Sequence, residues 1–362
     1  MYNRPTGVHF FLAVLLTAAI YPVPPAPAVG AGMPVCEEIP QDVLAEVLKR
    51  QQQIAFVGER IQTRFSGSRR REDTVYRQRV LHIPPSEYRV DFHDLPDDRE
   101  WHVLAQGDHL YKWGGGDTVW VSERSEVQTL GMVISYTYLD LLRENYRIEA
   151  QRGPEVAGRS TYAVGITPRN PGRPSLKAWV DSTYGVPLKL EVYDSREKLV
   201  QRYEYRWIRF SERLRVEIFP LPEGAFIQRQ ERGTECASPE ELLRETGRHA
   251  PTAQHLPAGF TLTKVKHGSR RDGEYLQSFY SDGYASFSVF AMENAKKAPE
   301  GSEKPGLREV RSGRRRGYGG YTYATGWIGI NQITVMGDLA ESELVEVLSS
   351  VRLPGPVPGE PG

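Results

Sequence analysis

The chain has 362 residues, 39% of them hydrophobic and 25% charged, a balance that belongs to globular proteins of about two domains. Lys plus Arg equals Asp plus Glu at 46 each, so no net field draws the chain to nucleic acid or to an anionic bilayer. This composition excludes a disordered chain and a multispan membrane protein.

Residues 1–28 form a signal peptide in outline. A short leading region carries Arg4, an apolar run follows from Phe10 to Ile20, and Ala26-Pro27-Ala28 makes an A-x-A cleavage site. The run is short for a membrane span, so export with cleavage is expected; retention as an anchor is the other reading. Next comes an expected helix, capped by Asp42, with Leu44, Val47 and Leu48 on one face and its end near Gln53.

A succession of alternating segments then predicts strands over 54–65, 74–83, 87–93, 100–106, 109–113 and 118–122, separated by Gly, Pro, Asp and Ser. A second helix is expected over 135–145, and further strands over 160–168, 176–194 (broken at Asp181 to Gly185) and 199–210. Their short returns force antiparallel neighbours. The predicted class is α+β: a curved antiparallel sheet with helices to one side.

Residues 220–257 lack periodicity and are rich in Pro, Gly and charge, which marks a domain boundary with a short helix over 239–246. A second, smaller strand-rich domain follows. It closes with a helix capped by Asp338 that carries Leu344, Val345, Leu348 and Val351 at helical spacing. The tail over 354–362 is rich in Pro and Gly, as frayed termini are.

No catalytic motif is present. The eight histidines form no H-E-x-x-H, and there is no G-x-S-x-G elbow, P-loop or dinucleotide fingerprint. "KWGGGD" at Lys112 to Asp117 lacks the Lys-Ser/Thr of a phosphate loop and reads as a hairpin turn. Arg69 to Arg71 and Arg314 to Arg316 have no interleaved aromatics to stack bases. No cofactor, no metal site and no enzyme activity is predicted.

Two features remain. Cys36 and Cys236 would meet an oxidising compartment after export, where a disulfide closing so long a loop contributes at most about 5 kcal/mol; two free thiols are the alternative. Trp101, Tyr111, Trp113 and Trp120 lie on neighbouring predicted strands, with Tyr136 and Tyr138 near the second helix. They form either a plain core or the lining of an apolar cavity at the mouth of a curved sheet.

Four segments carry a resemblance. "FYSDGYASFSVF" (279–290), "HLPAGFTL" (255–262), "QITVMGDLAESELVEVLSSV" (332–351), and "YAVGITPRN" followed by "KAWVDSTYGVPLKLEVYDSREKLVQRYEY" are similar to segments of the MucB/RseB family of extracytoplasmic regulators of envelope-stress sigma factors. The resemblance implies a LolA/LolB-like half-barrel domain over 36–222, a linker over 223–254 and a sheet-and-helix domain over 255–353. It implies a periplasmic, non-enzymatic protein whose partner is the periplasmic domain of a single-pass membrane anti-sigma factor. Lipid or lipoprotein acyl chains would be sensed in its cavity. A lipoprotein or lipid carrier of LolA/LolB type is the alternative. The sequence departs from the family at His255, where a Trp is usual, and in the Arg- and Gly-rich stretch 312–326.

Overall fold

The computed structural model describes residues 49–65, 73–95, 100–124, 138–211, 220–229, 233–270, 273–293, 307–315 and 321–353. They group into two compact units, one from residues 49–169 and 175–229, the other from 170–174 and 233–353. The first expected helix lies mostly outside the described residues, as do the export signal, Cys36, Tyr136 and the tail.

The first unit is a sheet of β1 (Ala55–Arg64), β2 (Thr74–Ile83), β3 (Glu87–His93), β4 (Trp101–Gln106), β5 (His109–Gly114), β6 (Thr118–Glu123), β7 (Tyr146–Val156), β8 (Arg159–Pro168), β9 (Ser175–Asp181), β10 (Pro187–Tyr193), β11 (Leu199–Ser211) and β12 (Phe226–Arg229). These 12 strands run in the order β12-β6-β5-β4-β3-β2-β1-β11-β10-β9-β8-β7. All neighbours are antiparallel except β12 and β6. The alternation that predicts strands also sets which side chains are buried. On β2, Tyr76, Gln78, Val80 and His82 are buried while Val75 is exposed.

The buried polar residues of that face satisfy one another. Arg60 Nε donates to Gln78 Oε1 (2.6 Å), Gln78 Nε2 donates to Gln62 Oε1 (2.9 Å), and the Arg60 guanidinium stacks over Tyr203 at 4.3 Å. The loop between β9 and β10 is held by Asp181, whose Oδ1 accepts the N–H groups of Thr183 (3.0 Å) and Tyr184 (2.7 Å).

The second unit contains β13 (Thr234–Cys236), β14 (Thr252–Ala253), β15 (Thr261–Arg270), β16 (Gly273–Ser281), β17 (Ser286–Glu293), β18 (Leu307–Arg315), β19 (Tyr321–Ile328), β20 (Asn331–Gly337) and β21 (Val351–Arg352). Seven of them form a sheet in the order β13-β15-β16-β17-β20-β19-β18, and β14 pairs with β21. The helix Glu341–Ser350 covers it, placing Leu344, Val347 and Leu348 against Phe287, Val289, Ile333 and Val335. Gly337 is required where β17 and β20 meet, because a Cβ there would lie 2.3 Å from the Ser286 carbonyl oxygen and 2.5 Å from Phe287 Cα.

Several expectations need correction. The described chain is mostly strand, and its helices at Leu139–Asn145, Pro239–Thr246 and Glu341–Ser350 are short, so α+β holds only coarsely. The stretch 223–254 contains β12, β13 and β14 besides the helix expected over 239–246, which forms at Pro239–Thr246. That helix is well specified: Ser238 Oγ accepts the Glu241 N–H (3.2 Å), Pro239 opens the first turn, and Gly247 at φ 68° ends it. Asp338 does not cap the closing helix. The N-cap is Ala340, whose N–H donates to Glu343 Oε2 (3.3 Å), and Val351 has left the helix to pair with Ala253. Cys236 is buried, and burial pushes its thiol pKa up; its expected disulfide partner, Cys36, lies outside the described residues.

The Ser281-Asp282-Gly283 segment is the turn between β16 and β17. Asp282 Oδ1 accepts the N–H groups of Tyr284 (3.1 Å) and Ala285 (2.7 Å), and Gly283 takes φ 102°. Beside it, Asp338 Oδ2 accepts from the Ser286 N–H (3.1 Å). Burial pushes the Asp338 pKa up to about 7, and the nearby Asp282 adds to the rise. Below about pH 4 both folded and unfolded chains hold this proton. Between pH 4 and 7 the unfolded chain ionises first, so stability falls as pH rises, and above 7 the loss is complete. The shift corresponds to a loss of at most about 4 kcal/mol, with the bonds from Ser286 already counted in it. Denaturant titration at pH 5 and pH 8 checks it, and Asp338→Asn should flatten the difference; an unchanged difference in that variant assigns it elsewhere.

Candidate functional site

The hairpins β3–β6 place the predicted aromatic residues on two faces of one sheet. The register pairs Trp101 with Gly114, Val103 with Lys112, and Lys112 with Trp120. Trp101, Lys112 and Trp120 therefore share a face, while Tyr111 and Trp113 point from the other. The expected lining is split by the sheet. Tyr138 stands at the start of the helix Leu139–Asn145 and caps it with no side-chain bond.

On the first face, the Trp101 indole crosses β5 to stack on Trp120, with ring centroids 5.7 Å apart and planes at 27°. Glycine at 114 makes the crossing feasible, since a Cβ there would meet Trp101 Cε3 at 2.7 Å. Both indoles are half-buried. The Trp101 Nε1–H is buried without a hydrogen-bond partner among the described residues. Next to this pair, burial pushes the Lys112 pKa down to about 8, with no charged neighbour contributing among the described residues.

The opposite face carries a polar group next to an apolar cluster. Arg89 Nε donates to Asp91 Oδ1 (2.8 Å), and His102 Nδ1 lies 2.6 Å from the same oxygen. His102 stacks on Trp113 at 5.0 Å, and its Nε2 is 3.7 Å from Glu100 Oε2. Burial raises the Asp91 pKa, but the hydrogen bonds from His102 and Arg89 outweigh it and hold the carboxyl below its usual range. The imidazole thus sits between two carboxylates. Behind it Leu104, Trp113, Val119 and Val121 form an apolar cluster. Trp113 belongs to this core.

Among the described residues no group of His, Cys, Asp and Glu is placed to hold a metal ion, and no helix is long and apolar enough to cross a membrane.

Residues 103–223 match the family model of the MucB/RseB N-terminal domain. Two solved structures share its fold. One is the MucA/MucB complex of Pseudomonas aeruginosa, at 19% identity over 87% of this chain and 98% of that one, with a TM-score of 0.53. The other is MucB in complex with MucA(peri), at 18% identity over 87% of this chain and 99% of that one, with a TM-score of 0.52. No curated protein matches the chain.

The MucB/RseB match begins at β4 and takes in Tyr111, Lys112, Trp113, Trp120 and Tyr138. Lys112 is the functional candidate missing from the aromatic set. Its signal was the alternation of β5, which sets it out of phase with Tyr111 and Trp113.

Proposed function

We propose that this protein is a periplasmic regulator that binds the periplasmic region of a single-pass membrane anti-sigma factor. The match of residues 103–223 to the MucB/RseB N-terminal domain carries the reading, and the fold likeness to MucB, solved in complex with MucA(peri), supports it. We assign sensing to the half-exposed Trp101–Trp120 face, on which an amphiphile would lay its apolar part. In this reading Tyr111 and Trp113 support the sheet from behind and do not touch ligand, and an acyl chain replaces water on one face only.

The test is recovery of the protein from the envelope of its host after mild crosslinking, with bound proteins and lipids identified by mass spectrometry. The expected result is one stoichiometric partner, a single-pass membrane protein with a small cytoplasmic domain. Recovery of many acylated proteins or lipids without such a partner would instead establish the carrier function of the LolA/LolB type and overturn the proposal.

A further inference from the structure

We infer that Lys112 and the indole N–H of Trp101 form a binding site for a monocarboxylate with an apolar body. The inference rests on the amphiphile-sensing part of the reading above and is independent of the protein partner.

Three observations lead to it. First, among the described residues both donors lack partners: the Trp101 Nε1–H is buried with no acceptor, and no hydrogen bond or ion pair holds Lys112. A buried donor left unmade is costly, so a ligand that accepts from the indole N–H and pairs with the half-buried ammonium gains what the free protein forgoes. Second, the register brings them together. Lys112 is directly opposite Trp120, whose ring stacks on Trp101, and Trp101 is diagonal to Lys112 across the β4–β5 pair, within reach of long and aromatic side chains.

Third, the charge count selects the ligand. No Asp or Glu shares this face on β3–β6, and Lys112 is the one cation of those strands there. Arg124, one residue past β6, is engaged by the carbonyl and hydroxyl oxygens of Ser86. One cation and one neutral donor match the single charge and two oxygens of a carboxylate, whereas a phosphate dianion would keep a charge uncompensated. The exposed parts of Trp101 and Trp120 then receive an apolar body. Burial, which pushes the amine down to about pKa 8, gives way on binding to a charge-assisted hydrogen bond.

The experiment uses the full chain with nitrogen-15 in its tryptophan indoles, the Trp101 signal being assigned with Trp101→Phe. Decanoate, decan-1-ol and inorganic phosphate are titrated separately. Decanoate should move the Trp101 indole signal and bind roughly tenfold or more tighter than decan-1-ol. Lys112→Met should remove that preference, bringing the acid and the alcohol to equal affinity. Equal affinity for acid and alcohol in the native chain sinks the carboxylate site but leaves amphiphile sensing standing. Phosphate acting as strongly as decanoate overturns the ligand class, and no response to either decyl compound overturns the amphiphile reading as well. The comparison of ligands on the native chain stands on its own if Lys112→Met does not fold.

Discussion

Replacing Phe287 with alanine should lower the stability of the second unit by about 3–5 kcal/mol. Phe287 is 1% exposed. Its ring stacks on Tyr280 at 4.7 Å and packs on Phe260 at 5.1 Å. The loss therefore combines transfer, cavity and aromatic contributions. The backbone at this point is pinned against Gly337, which limits collapse into the void. Hydrogen exchange of β16, β17 and β20 amides in the full chain isolates this unit from the other. Phe287→Leu should cost much less, since it refills most of the volume. A loss below about 1 kcal/mol for alanine would show that the aromatic cluster is not what holds this sheet.

A second change of similar size is expected at Arg173, which belongs to the same unit through residues 170–174. Its side chain is 4% exposed; Nη1 donates to both carboxylate oxygens of Glu343 (2.9 and 3.0 Å), and Nε lies 3.9 Å from Asp282 Oδ2. The guanidinium also stacks over Phe260 at 5.2 Å. Arg173→Ala leaves the carboxylates of Asp282, 1% exposed, and Glu343 without this cation. Removing one member of a buried ion group costs about 3–5 kcal/mol, chiefly because the remaining charge is stranded. Glu343→Gln should cost less, since that side chain is 28% exposed and an amide oxygen still accepts the Ala340 N–H. Exchange rates across the Ser281–Ser286 turn give the readout. Equal losses for the two variants would contradict the stranded-charge account.

The parts of this fold that were legible in sequence are those where one face of a strand is apolar. β2 and β3 were found to the residue because alternation and burial coincide there. β7 was missed: "YRIEAQRGPEV" is polar on both sides, interrupted by Gly-Pro, and exposed over most of its length. β12 was missed for a related reason, since all four of its residues are exposed at the sheet edge and no periodicity survives. Asp338 has the composition of an N-cap, but burial beside Ser286 diverts its carboxylate from the helix. The site was half legible. Alternation within β5 shows that Tyr111 and Trp113 share a face, but which face Trp101 and Trp120 share with Lys112 depends on pairing between strands, and a single strand's sequence does not contain it. The orphaned indole N–H is likewise a product of tertiary packing around Gly114.

The pairing of β1 with β11, from Ala55 opposite Ser211 to Arg64 opposite Gln201, has a kinetic side. The sheet's middle is a seam between the earliest and one of the last strands made, so its closure waits on contacts of very large sequence separation, which slow folding. Until β11 arrives, β1 presents an open edge that invites pairing with other chains. A chain emerging N-terminus first would hold the open edge of β1, and then the six strands β1 to β6, unsealed until synthesis reaches β11 at residue 199. A version truncated before residue 199 should therefore aggregate, where one that keeps β11 folds.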